Sequence, residues 1–315
     1  MAKIRQAASP VEFSKYAKTK VTTMGNITEV TTLAKNCNGG CPCKKLDKDH
    51  YLDIRTGEVL EYEHIENRSE ETRSIRNTLA RIRALINTNV VEPDNCRWLT
   101  LTYAENMTDA KQLYEDFRRF WQRFCYWCKK NGIEKPDYIT VQEPQGRGAW
   151  HVHAFFIWQG KAPFLSNDEI AELWGQGFTK TTAMQDCDNV GAYFSAYLGD
   201  MPLDEALQLS EHERSMLSVT ENDLDEKSFT DAQGNTKKKK FIKGGRLSLY
   251  PPGMNIVRTT KGVKQPEVEY MSREKAEKKV CSAKQTFSRT YEILDDTGAV
   301  CNTLSKTYYN SKRKV

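Results

Sequence analysis

The sequence predicts an α+β fold: a small antiparallel sheet with helices packed on one face, flanked by N- and C-terminal extensions. Three observations predict it. Trp98–Tyr103 (WLTLTY) alternates apolar and polar residues as a strand does; an aromatic-rich stretch from Thr108 to Asn131 repeats at helical spacing; and Tyr138–Glu143 and Trp150–Trp158 read as two strands joined by a short turn-forming loop. With 315 residues and 38% hydrophobic content the chain is long and apolar enough for a sizeable core and about two domains.

In chain order, the first ninety residues are polar and mixed, and their clearest helix runs from Ser69 to Ile86. There Ile75, Leu79, Ile82 and Ile86 recur at helical spacing with Arg73, Arg76, Arg81 and Arg83 between them, a basic amphipathic helix that ends an N-terminal extension over residues 1–95. The strand at Trp98 follows, then the long helix, which Gly132 closes. The loop Pro144-Gln145-Gly146-Arg147-Gly148-Ala149 joins the next two strands into a hairpin. Ser166 caps a helix through Trp174, Phe178–Met184 is another strand, and Asn189–Leu198 a short helix. The order β-α-β-β-α-β-α defines a central domain at 96–200, and 201–315 forms a C-terminal region.

Charge divides that last region. Between Asp200 and Asp231 ten acids face only Arg214 and Lys227, an acidic linker that nucleic acid would avoid; between Lys237 and Lys279 thirteen bases face four glutamates, a segment that attracts phosphate. The net charge of +5 conceals this asymmetry. The sequence has no apolar run of about 18 residues and no signal-peptide pattern at its start, and its nine cysteines are irregularly spaced. These features predict a cytoplasmic protein with no membrane partner.

The chemistry concentrates in the hairpin. His151 and His153 alternate along one strand and so share a face, and if the hairpin is symmetric about Arg147, Glu143 lies directly opposite His151. Two imidazoles and a carboxylate suit a divalent ion that also touches a substrate oxygen, with Mg²⁺ or Mn²⁺ the natural choice where phosphate is handled. His-x-His alone would more often be packing; Glu143 tips the balance. Farther on, Tyr193 and Tyr197 in YFSAY stand one helical turn apart. Such a pair alone is usually an aromatic stripe, but beside a metal-polarised phosphodiester a tyrosine can attack phosphorus.

The ordered set WLTLTY, Glu143 eight residues before HVH, and YFSAY some forty residues beyond resembles the three motifs of HUH endonucleases of the rolling-circle replication initiator class, over about Arg97–Leu198. The resemblance implies a ferredoxin-like sheet on which Glu143, His151 and His153 hold the metal. It implies a tyrosine, Tyr193 before Tyr197, that nicks single-stranded origin DNA, keeps the 5′ phosphate and frees a 3′ hydroxyl. Gly244–Pro266 further resembles the C-terminal part of phage and small-plasmid initiators of this type. Many members carry a lysine three residues after the first tyrosine, where this chain has Ala196, so the phosphate's charge must be met elsewhere, with Lys180, Lys161 and Arg147 as candidates. No GxxxxGK[ST] motif occurs, so a host helicase as well as a host DNA polymerase is an expected partner.

Other features have plainer readings. Cys37, Cys41, Cys43 and His50 offer zinc ligands at a non-standard spacing, against which stands a turn carrying free thiols. Cys125 and Cys128 are CxxC by spacing but lie on the aromatic helix as core residues, and the rings of that helix read as core rather than a stacking platform. Lys237, Lys238, Lys239 and Lys240, followed by Arg246 in a strand-like RLSLY, are expected to contact single-stranded DNA together with Lys180, with Tyr250 stacking on a base. The competing functional reading is a non-catalytic single-stranded nucleic-acid binder in which the sheet acts like an RNA-recognition module. HUH transposases and relaxases share the motifs, and a catalytically inactive regulator fits the same pattern.

Overall fold

The computed structural model describes residues 3–9, 11–35, 43–54, 56–62, 72–145, 148–184, 189–207, 209, 224–230, 236–242, 244–251, 254–295 and 297–313. The chain divides into two compact units: a terminal one, residues 1–66 with 266–315, and a central one, residues 67–265. The fold is mixed α+β with antiparallel sheets, as the sequence predicts. The division by contacts differs from the linear one drawn from composition, because the two ends of the chain pair in one sheet.

The terminal unit begins with β1 (Lys3–Gln6), β2 (Lys18–Met24) and β3 (Ile27–Leu33), followed by the small strands β4 (Cys43–Lys45), β5 (His50–Asp53) and β6 (Val59–Glu61). The β2–β3 hairpin buries Val21 and Val30 from opposite strands, paired directly with each other.

The central unit opens with α1 (Thr72–Asn89), whose Ile82, Leu85 and Ile86 are fully buried on the face their spacing implies. Next come β7 (Cys96–Thr102) and α2 (Ala110–Lys130). Asp109 caps α2 through its carboxylate, which accepts from the amides of Lys111 and Gln112, and Gly132 ends it at φ +65°, a conformation that glycine adopts without a Cβ clash. β8 (Asp137–Pro144) and β9 (Trp150–Ile157) form the hairpin. α3 (Asn167–Trp174) carries the Ser166 cap, and β10 (Thr179–Ala183) and α4 (Val190–Gly199) complete the alternating order.

The sheet runs β10-β7-β9-β8 and gains a fifth, edge strand from the C-terminal segment, β14 (Val257–Thr259), beside β8. Between α4 and that strand lie β11 (Met201–Pro202), the single turn α5 (Leu203–Ala206), and the hairpin of β12 (Leu224–Thr230) with β13 (Thr236–Ile242). Strand alternation sends Val152, Ala154 and Phe156 of β9 to one face and His151, His153 and Phe155 to the other. The first face packs on α2, where Phe156 meets Phe120, Trp121 and Phe124, and on α3, where Trp174 stands edge-on to Phe120. On the second face Phe194 of α4 meets Trp98, His153 and Phe155 edge-on, so a helix covers part of this side as well.

Two expectations change in the C-terminal region. RLSLY is not a strand but part of a 3₁₀ turn, Gly245–Leu249. Its period-2 pattern spans only five residues, too few to outweigh the inward anchoring of Arg246 and Tyr250 described below. The lysine run is not a solvated loop but β13, and its partner is the acidic strand: Glu226 pairs with Lys240 and Lys227 with Lys239, while the Lys238 ammonium lies 2.8 Å from Glu226. Acid and base, separated in sequence, neutralise each other across a hairpin.

The chain returns to the terminal unit through β15 (Glu267–Ser272), α6 (Arg273–Val280), β16 (Lys284–Leu294) and β17 (Val300–Asn310). Its six-stranded sheet runs β1-β16-β17-β3-β2-β15, and Ala276 and Val280 of α6 close a small core over Val21 and Val30.

Candidate metal centre

The hairpin register is the one symmetry about the loop centre predicts: Glu143 is the direct partner of His151, and Thr102 of β7 pairs with His151 on the other side. His153 stands one position up the same face, flanked by Thr100 and Val141. One ligand atom from each of Glu143, His151 and His153 lies within 4.8 Å of the others, and this buried group can hold a metal ion. Glu143 is 2% and His153 1% exposed, so the cluster is a desolvated charge site rather than a surface accident.

Each member is held from outside the trio. His153 Nε2 lies 2.5 Å from Glu143 Oε2, and His151 Nδ1 lies 3.9 Å from the same oxygen. At the far side of the His153 ring the Trp98 indole N–H donates to Nδ1 at 3.3 Å, and Thr100 Oγ1 lies 3.2 Å away. When Nε2 serves as a ligand, Nδ1 must carry the ring proton, and the Thr100 hydroxyl is positioned to accept it. Burial works against ionisation of Glu143, but the hydrogen bond from His153 and the positive charge of Arg246 outweigh it and hold the carboxyl below the usual carboxylate range. An ionised carboxylate and imidazole nitrogens converging in a buried pocket form a donor set fit for a divalent cation.

Arg246 is the residue whose role the sequence misread. Expected at a DNA phosphate, it is 7% exposed, and its Nε lies 3.2 Å from Glu143 Oε1. Its remaining donors reach both oxygens of Glu205 at 2.8 and 2.6 Å and the carbonyls of Asp200 and Pro144. A guanidinium committed in this way steadies Glu143 and is not available to phosphate. Tyr250 is likewise buried, 2% exposed, with its hydroxyl donating to the Gln142 carbonyl, so its ring offers no face to a base.

Lys180 is exposed on β10 and pairs with Thr100, which pairs with His153, so all three occupy one row on the site face, with Lys180 about 10 Å from His153 across two strand spacings. Lys161 is exposed beyond the end of β9, and Arg147 lies outside the described residues. Tyr193 and Tyr197 fall on α4, and their side chains lie outside what the structure describes. α4 itself is fixed by its neighbour: Asn87 of α1 accepts from the Gly191 amide at 2.8 Å and donates to Asn189, an approach so close that a Cβ on Gly191 would run into the Arg83 carbonyl. Of the lysine run, Lys238 and Lys240 are exposed and the side chains of Lys237 and Lys239 lie outside the described set.

Among the proposed zinc ligands, Cys37 and Cys41 lie outside the described residues, Cys43 is half-buried on β4, and His50 Nδ1 is taken by Asp47 at 3.0 Å. Cys128 is buried in the core as its helical position implies, and burial pushes its thiol up to about 11. No helix among the described residues is long and apolar enough to cross a membrane.

The fold and this cluster together define an α+β domain with a buried carboxylate–imidazole centre capable of holding a cation. Residues 96–201, the same stretch, match the family model of the replication-associated protein ORF2, a rolling-circle replication initiator family. That match suggests replication initiation and DNA binding for this domain. No curated protein and no solved structure is similar to the chain at a significant level.

Proposed function

We propose that the chain is a replication initiator that nicks single-stranded DNA at an origin. The observation that carries this reading is the buried Glu143–His151–His153 group inside the stretch similar to the initiator family. In this reading the Tyr193 hydroxyl attacks the scissile phosphorus, an oxygen–phosphorus bond to tyrosine forms, and the bond to the 3′ oxygen breaks. The 5′ phosphate stays on the protein as phosphotyrosine, and the departing 3′ oxygen takes up a proton and becomes the primer end for a host polymerase. Tyr197, one turn away, serves a second transfer.

A Mg²⁺ or Mn²⁺ ion held by Glu143, His151 and His153 would supply polarisation of the scissile phosphate. The chain's own residues position the strand: Lys180, in one row with His153, offers the charge that Ala196 does not. The stacking alternative loses support, because the face on which an RNA-recognition module stacks bases carries Phe194.

The test is to mix the protein with labelled single strands of the origin region, with and without Mn²⁺, and look for a covalent protein–DNA band on a denaturing gel. A metal-dependent band that disappears in Tyr193→Phe supports the mechanism and its nucleophile. No band and no cleavage, while DNA still binds, refutes it.

A further inference from the structure

The six-stranded sheet of the terminal unit has two unlike faces, and only one carries a helix. Val21, Val30, Met271 and Tyr309 lie under α6, and the acid Glu269 on this side is paired with Lys279 of that helix. Alternation sends the intervening residues to the opposite face. One row there, fixed by the strand register, is Tyr270–Lys20–Thr31–Lys306–Arg289; the next is Val268–Thr22–Glu29–Tyr308–Phe287. Lys18 stands beyond the first row, paired with Ser272.

This face is open. Tyr270 is 65% and Phe287 36% exposed, Lys18, Lys20 and Arg289 are exposed, and on the central strand β3 the residues of this face are half-buried while Val30 and Thr32 of the other face are buried. Cations and rings interleave: Lys18 lies over Tyr270 at 5.5 Å, Arg289 over Phe287 at 5.3 Å and Lys306 over Tyr308 at 5.4 Å. In these two rows and at Lys18 four cations accompany one acid, Glu29, which is already engaged by Tyr308 and Lys306.

We infer that this face of the terminal sheet is a second DNA-binding surface, on which single-stranded DNA lies with bases against Tyr270 and Phe287 and phosphates against Lys18, Lys20 and Arg289. Exposed rings alternating with cations on a flat sheet match the chemistry of an unpaired strand: π-faces for bases and charge for the backbone. The charged row crosses four strand spacings, about 19 Å, a path long enough for several nucleotides. Duplex DNA keeps its bases stacked inside and offers the rings nothing. The surface belongs to the terminal unit alone, outside residues 96–201, and does not depend on the nicking reading.

The test uses the full-length protein and a fluorescent 20-nucleotide oligo-dT, read by anisotropy across a salt series. Lys20→Glu combined with Arg289→Glu is expected to weaken binding at least tenfold and to flatten the salt dependence by about 1.4 in slope, two phosphate contacts' worth. Tyr270→Ala combined with Phe287→Ala is expected to weaken binding about tenfold or more at unchanged slope. All four positions are solvent-facing, and thermal melts confirm folding. Wild-type affinity and slope in both folded double variants would overturn the inference. So would equal competition by a duplex of the same length, and stronger competition by oligo-U would overturn the choice of DNA. His151→Ala with His153→Ala separates the two readings: it abolishes the covalent band if the chain nicks, yet leaves oligo-dT binding to this face intact.

Discussion

The central and terminal sheets of this chain are built from the same antiparallel pairing but solve burial differently. The central sheet is covered on both faces, by α2 and α3 on one side and by α4 on part of the other, so every polar group on it must be paired or costs free energy. Polar groups there therefore sit in closed networks: Tyr103 donates to Asp116, which also accepts from Gln112, and Glu143 is gripped by His153 and Arg246. The terminal sheet is covered on one face by the two-turn helix α6, and its other face stays wet, so Lys, Thr and Tyr alternate there without strain. A buried charge that survives in such a closed core marks a place where chemistry is kept; an open charged face marks a place where a partner is met.

Removing Arg246 tests that contrast most sharply. Arg246→Ala leaves Glu143 and Glu205 buried without their cation, an expected loss of about 3–5 kcal/mol in unfolding free energy, read by denaturant titration. A loss below about 1 kcal/mol, the range of exposed ion pairs, would erase the distinction between the two sheets. Gly191→Ala is expected to cost about 1–3 kcal/mol, because the added methyl must displace α4 from the Arg83 carbonyl and from Asn87. On the proposed mechanism, its covalent DNA adduct falls more than its stability does, since α4 carries both tyrosines.

Thr100→Val removes the acceptor for His153 Nδ1–H without changing size, and is expected to weaken Mn²⁺ binding about tenfold in a calorimetric titration while the melting temperature stays near wild type. An unchanged affinity would mean that the hydroxyl does not orient the ring.

The smallest effect belongs to the terminal sheet. Burial of Glu29 opposes ionisation, but Tyr308 and Lys306 hold its carboxyl below the usual range, and Lys306 is raised in turn by Glu29 and Tyr308 against its own burial. A depressed acid stabilises above its unfolded value and loses that contribution as pH falls through the folded one; a raised lysine stabilises below its unfolded value and loses it as pH rises through the folded one. Melting temperature should therefore hold from about pH 5 to about pH 10 for this pair and decline on both sides. Lys306→Met should bring the acid-side decline to higher pH.

Much of the central domain was legible because its signals are local. Helical spacing places Ile82 and Ile86 inward, Ser166 and Asp109 have capping side chains in the right positions, and the turn-rich loop sets the register that puts Glu143 opposite His151. The candidate cluster followed from that register, since side chains in a strand alternate whatever surrounds them. Arg246 was not legible, because a lone arginine in a basic segment reads as a phosphate ligand until the fold shows that Glu205 and Glu143, from distant positions, meet it. The lysine run misled in the same way, its acidic partner strand lying ten or more residues upstream.

What the sequence by itself determined is the set of short-range features: element types, caps, the hairpin and the shared face of His151, His153 and Glu143, all products of backbone geometry over a few residues. Only the tertiary structure decided which distant segments meet: that β3 pairs with β17 to close the terminal sheet, that Val257–Thr259 becomes the fifth central strand, and that Arg246 turns inward to Glu143. Those pairings are chosen by long-range burial and by the cost of leaving a charge or a strand edge unsatisfied, quantities that depend on the whole chain and leave no local pattern to read.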